Sequence, residues 1–352
     1  ITNAITALGS SIKTTFESIT EFSLSLQGLA TAGINFETQM NKVQQLSGAT
    51  GNQLEQLSDK AKYLGSTSRF QAYQIGQGFE YMSMAGWNAS EMLSGINSVV
   101  NLSILSGQSL ASCSDIVTDD LTALGLEANQ ASDFVDKLAS TITRSNTNVE
   151  LYGYALTQCG AQAGTLGVNV TDLNTAIGLM ANAGVKGSKA GMSLKNMLAN
   201  MAAPTDKMEA ALKKLGMTAD ETGSYLKTTA DGNVDLAATC KTLMSAMNGM
   251  EKSQKVALLT AIVGKNAAPG ILAMLSQGES AWNELSDSIE NSTSTVQFWN
   301  ENMSIMGKKG DEARKIIDNF KDVYDSVEER ATDLGFSTKD LALSIQVLGA
   351  DG

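Results

Sequence analysis

The chain has 352 residues and sets 25 Lys and Arg against 37 Asp and Glu, a net charge of −12. That balance lacks the basic footprint that nucleic acid or an anionic membrane attracts, so specific nucleic-acid binding is not expected. No His occurs anywhere, which removes Ser-His-Asp and Cys-His nucleophiles, HExxH metalloproteases and His-ligated zinc. Cys113, Cys159 and Cys240 stand singly with no CxxC spacing, so neither a disulfide framework nor a thiolate metal site is expected and a reducing, cytosolic origin fits. The first residue is Ile1 with no basic, then apolar, leader after it; the chain reads as part of a longer one.

In chain order, residues 1–33 carry Ile5, Leu8, Ile12, Phe16 and Ile19 at spacings of three or four, an amphipathic helical arm. From 34 to 290 the same periodicity recurs, as in Leu54, Leu57, Ala61 and Leu64, in Phe134, Leu138 and Ile142, and in Met208, Leu212 and Leu215. Only Pro204 and Pro269 interrupt. The predicted fold class is all-α, a compact multi-helix domain with flanking amphipathic helices. Leu-Gly pairs at 64–65, 124–125, 166–167, 215–216, 334–335 and 348–349 close apolar runs and read as glycine C-caps. Asn88 with Glu91 has capping-box spacing, and Pro204 suits a first helical turn. The run 224–229 followed by Asp231-Gly232 allows at most one short β-hairpin near 224–234. Residues 291–352 form a charged helical segment with an apolar stripe at Ile316, Ile317, Phe320, Val323, Tyr324 and Val327.

Gln71 to Gly86 aligns with Asn169 to Gly184 at an offset of 98, matching Met82 with Met180, Ala85 with Ala183 and Gly86 with Gly184. Two helix-then-glycine-turn units follow from this.

The motifs point away from chemistry. Gly264-Lys265 and Gly307-Lys308 lack the rest of a P-loop. Gly184, Gly187 and Gly191 with Lys186, Lys189 and Lys195 could offer a helix N-terminus to an anion; a tight turn feeding a helix, with Gly191 admitting a close neighbour, is the plainer reading. Glu279 in Gly278-Glu279-Ser280 superficially resembles the acid of lytic transglycosylases, but the companion pattern precedes it, leaving an ordinary helix carboxylate. Asp119-Asp120 has no second acidic pair and reads as solvated surface. The 16 Met read mainly as core filling, with an adaptable groove as the other use. Trp87, after the turn at Gly86, is either an exposed interface residue or a staple for the following helix. The candidate packing or interface positions are thus Gly86, Trp87, Gly184, Gly187 and Gly191; no catalytic, metal or cofactor residue is assigned. Aromatics are 5% of the chain, so the domain is expected to be loosely cohesive for its size.

Over roughly 34–290 the order of segments resembles the core region of phage tail tape measure proteins, shared with phage-tail-like bacteriocins. The elements are Phe36-Glu37-Thr38-Gln39-Met40 with Val43, Leu57 through Ala61 to Leu64-Gly65, Thr67-Ser68-Arg69-Phe70, Met84-Ala85-Gly86 and Leu124-Gly125-Leu126. Then come Ala183-Gly184-Val185-Lys186-Gly187-Ser188 with Ala190-Gly191 and Leu194, the Pro204 helix with Leu215-Gly216, and Ile262-Val263-Gly264 with Ala267-Ala268. Ile75-Gly76 and Met192-Ser193 depart from the family pattern. The resemblance implies a non-enzymatic structural protein that fills the tail lumen, sets tail length during assembly and leaves the tube on attack. It implies a place in the virion or tail-like particle, with the host cytoplasm as the site of assembly. Implied partners are the tail tube protein, baseplate hub or tail tip proteins, tail assembly chaperones and two further copies of the chain in a trimer. The competing reading is a membrane-active effector whose helices, such as 253–264, enter the target-cell membrane after release.

Overall fold

The computed structural model describes residues 33–291; the N-terminal arm and the charged C-terminal segment lie outside them. Helix α1 covers 33–47. It is followed by α2 (Gly51–Thr67), α3 (Ala72–Met84), α4 (Ala89–Ser106), α5 (Leu110–Leu124), α6 (Ala131–Arg144), α7 (Val149–Thr165), α8 (Val170–Asn182) and α9 (Ser188–Ala202). Then come α10 (Asp206–Lys214), α11 (Leu236–Ala246), α12 (Lys252–Val263), α13 (Ala268–Leu275) and α14 (Gly278–Glu290). The all-α class holds. Between α10 and α11 a lone antiparallel bridge joins Thr228 to Val234 across a turn at Gly232, so the allowed hairpin shrinks to one rung.

Each helix buries its predicted face: Leu57, Ala61 and Leu64 on α2, Phe134 and Leu138 on α6, Leu212 on α10. Local chemistry sets the ends. The Asn88 N–H donates to Glu91 Oε2 at 2.7 Å while the Ser90 and Glu91 N–H groups donate to Asn88 Oδ1, a closed capping box. Gly125, Gly167 and Gly216 have positive φ and terminate α5, α7 and α10 as read. Gly65 does not. It lies inside α2, where an added Cβ would come 2.7 Å from the Ala72 amide nitrogen, so this glycine serves close packing and not a turn. Pro204 lies ahead of the Thr205 N-cap of α10 instead of in its first turn, because the extended backbone at Ala203 that proline imposes on its predecessor already ends α9.

The helices form two rows. α3, α5, α7 and α9 pack in succession in one, and α2, α4, α6 and α8 in the other. Neighbours within a row run parallel where their contacts can be followed: Ile116 lies on Gly153, Ala123 on Gly160 and the Leu124 carbonyl on Gly164. The intervening helix makes the return in the opposite row, as in arrays of helical hairpins. The core lies between the rows, with Phe79, Ile96, Val99, Leu138, Ile177, Met180 and Leu194 fully buried. Each such side chain contributes about 1.5–3 kcal/mol. The last helices close the array. α14 packs on α8 and α6, and Ser140 Oγ donates to the Ser288 carbonyl at 2.7 Å across 148 positions of sequence.

Candidate packing and interface site

The segment 183–191 is built by two glycines with different tasks. Gly184, at φ +85, ends α8: the Val185 N–H donates to the Met180 carbonyl at 2.9 Å and the Gly184 N–H to that of Ala181, a left-handed C-cap that L side chains disfavour. Gly187, at φ +59, is the N-cap of α9 and lies against Leu151 of α7. One turn on, a Cβ at Gly191 would lie 2.0 Å from the Ala155 carbonyl oxygen. Gly187 and Gly191 therefore seat α9 on α7, while Gly184 faces solvent.

The turn at Gly86 repeats that of Gly184. Gly86 has φ +86, and the Trp87 N–H donates to the Met82 carbonyl at 3.0 Å. Trp87, however, is not exposed. It is 7% accessible, and its ring covers Gly95, where a Cβ would meet it at 2.5 Å. It packs within the fold because Gly95 leaves room for an indole.

The sequence similarity extends to element boundaries. α2 and α7 begin and end 98 positions apart, as do α3 and α8, and each of the six buried positions of α3 has a buried counterpart in α8. The reading missed the glycines of α7. Gly153, Gly160 and Gly164 put α5 against it, and their spacing of seven and four on one helical face was the available signal.

Asp120 is the clear correction. Asp119 is exposed, but Asp120 is 3% accessible and its Oδ2 has no hydrogen-bond partner. Desolvation, with the nearby Asp119 charge, holds its carboxyl well above the usual range. Burial likewise raises all three thiols, Cys159 to about 12 with Asp120 adding to the effect, so they are poor nucleophiles in the folded chain. Glu279 is an exposed residue in the first turn of α14. Met82, Met92, Met180, Met197 and Met274 are fully buried, whereas Met84 and Met192 are exposed. Among the described residues no group of three or more acidic or thiol side chains could hold a metal ion, and no helix is long and apolar enough to cross a membrane.

What this arrangement offers is a closely packed helical body without a formed reactive centre, and the comparisons agree with a structural role. The family described as "Phage-related minor tail protein" matches residues 58–264. The chain is 30% identical over 308 residues to the tape measure protein of Pneumococcus phage Dp-1, covering 86% of this chain and 26% of that protein. It is 22% identical over 195 residues to the probable tape measure protein of Escherichia phage P2, covering 54% of this chain and 24% of that one. The chain thus spans about a quarter of the length of these curated relatives. No solved structure matches it significantly. The chain has a structural role in the phage tail, and it belongs to the phage-related minor tail protein family, among the tape measure proteins.

Proposed function

We propose that the chain occupies the lumen of the tail tube, takes part in setting tail length during assembly in the host cytoplasm, and leaves the tube when the particle attacks a cell. The family match carries this reading. The proposed partners are the tail tube protein, baseplate hub or tail tip proteins, tail assembly chaperones and two further copies of the chain. Residues 34–290 are the compact module of this ruler, and length is counted elsewhere. A ruler needs extended helix at ~1.5 Å per residue, whereas the rows of α2–α9 fold back and forth. Scarce aromatics and abundant small residues suit a body that must unfold to pass through a tube.

In-frame deletion of 34–290 from the parent chain, with tails measured by electron microscopy, tests this. Loss of tails, or tails of nearly unaltered length, is expected. Intact tails shortened by the roughly 400 Å that an extended helix of this length spans would make the module part of the ruler and overturn the assignment.

A further inference from the structure

A pocket of about 380 Å³ opens on the α3–α5–α7 row. Four carboxylates line it: Asp115, Asp119 and Asp120 from α5 and Glu150 from α7. Among the described residues no Lys or Arg forms an ion pair with any of them. Asp115 and Asp120 instead each feel the like charge of Asp119. Such a gathering is costly unless a cation joins it. The second observation is Asp120 itself, buried to 97% with Oδ2 unpartnered at the pocket; natural folds seldom leave such an atom without a purpose.

The cation is not a metal ion, because these carboxylates do not converge as a cage. Two tyrosines, Tyr81 and Tyr154, also line the pocket. Tyr154 is 50% exposed and its hydroxyl donates to Glu150 Oε1 at 2.9 Å, which fixes the ring beside the carboxylates. Gly153 lies between them on the floor. A planar donor fork that stacks on aromatic rings and bridges carboxylates is a guanidinium. We propose that this pocket binds an arginine side chain presented by a partner polypeptide segment. The buried carboxylate supplies the unpaired acceptor, the exposed ones draw the cation in, and the rings flank its plane.

The test titrates the full 352-residue chain at low ionic strength, by calorimetry, with an acetylated Gly-Arg-Gly-Arg-Gly amide and with its citrulline counterpart. Saturable binding is expected, at least tenfold weaker for citrulline and at least tenfold weaker in D120N. Because Asp120 is buried, E150Q serves as a second variant at an exposed position; at least threefold weaker binding is expected there, with helicity intact by circular dichroism. E55Q, an exposed carboxylate on α2, should bind as the parent does. Absence of saturable binding, equal affinity for citrulline, or affinity unchanged in both D120N and E150Q overturns the proposal. So does Ca²⁺ binding that D120N abolishes and that displaces the peptide, which would make this a metal site.

Discussion

At the junction of α3 with α4 and that of α8 with α9, the same backbone turn is completed in two ways. After Gly86 the chain places Trp87 over Gly95, so the indole fills the space from within the unit. After Gly184 the counterparts are Val185 and Ser193, and the space goes to another helix: a Cβ on Gly270 of α13 would meet Ser193 Oγ at 2.5 Å and Val185 at 3.4 Å. The two units thus share helix lengths, caps and buried registers but differ in whether one large residue or a neighbouring element finishes the core. Close packing requires that the volume be filled, not that one device fill it. A second contrast follows. α9 carries Gly191 where α4 carries Leu93, and only α9 lies backbone-close to its partner, on Ala155 of α7.

The strongest way to break the comparison is Trp87→Ala. No other element fills the space over Gly95, so the cavity should cost about 3–5 kcal/mol, read as a lowered urea midpoint at unchanged slope. A loss under about 1 kcal/mol would mean that the first unit can collapse over Gly95 and that the two devices are equivalent.

Gly191→Ala comes next. One methyl added 2.0 Å from a backbone oxygen must push α9 off α7, at about 2 kcal/mol after the gain in helix propensity. Leu93→Ala in α4, which has no such backbone contact, should change helix pairing little. Equal effects of the two substitutions would remove the distinction between the helix pairs.

Much of this was legible in the sequence because it is local. Apolar periodicity placed Leu57, Phe134 and Leu212 on buried faces, and the Asn88–Glu91 spacing named its own cap. Glycine was ambiguous. Gly125 and Gly65 both follow a Leu that ends an apolar run, yet one needs a positive φ and the other only an absent Cβ. Partner choice was not legible, since the return of α14 to α6 depends on shapes brought together across 148 positions. The burial of Asp120 was within reach, because it lies three residues after Val117 and four before Leu124, on the stripe that α5 buries. The Asp-Asp dipeptide suggested a surface, although neighbours in a helix point about 100° apart.

The smallest effect concerns α1 and α6, which occupy equivalent places ahead of the two units. Asp136 of α6 stands where α1 has the exposed Thr38, and burial, then the charge of Asp133, raises its pKa from 3.8 to about 6. The folded state therefore holds this proton more tightly than the unfolded state. The sign is that of a raised acid: stability present below the unfolded value is lost as pH rises through about 6. Asp136 is only partly buried, so solvent screening reduces the loss to about 1 kcal/mol. Asp136→Asn removes the titration. Its stability relative to the parent should be near parity at pH 4 and higher by about 1 kcal/mol at pH 7.5, measured by urea unfolding at both values. A constant difference between the two pH values would show that the carboxyl titrates alike in both states, and that α6 tolerates a charge at this position as readily as α1 tolerates its hydroxyl.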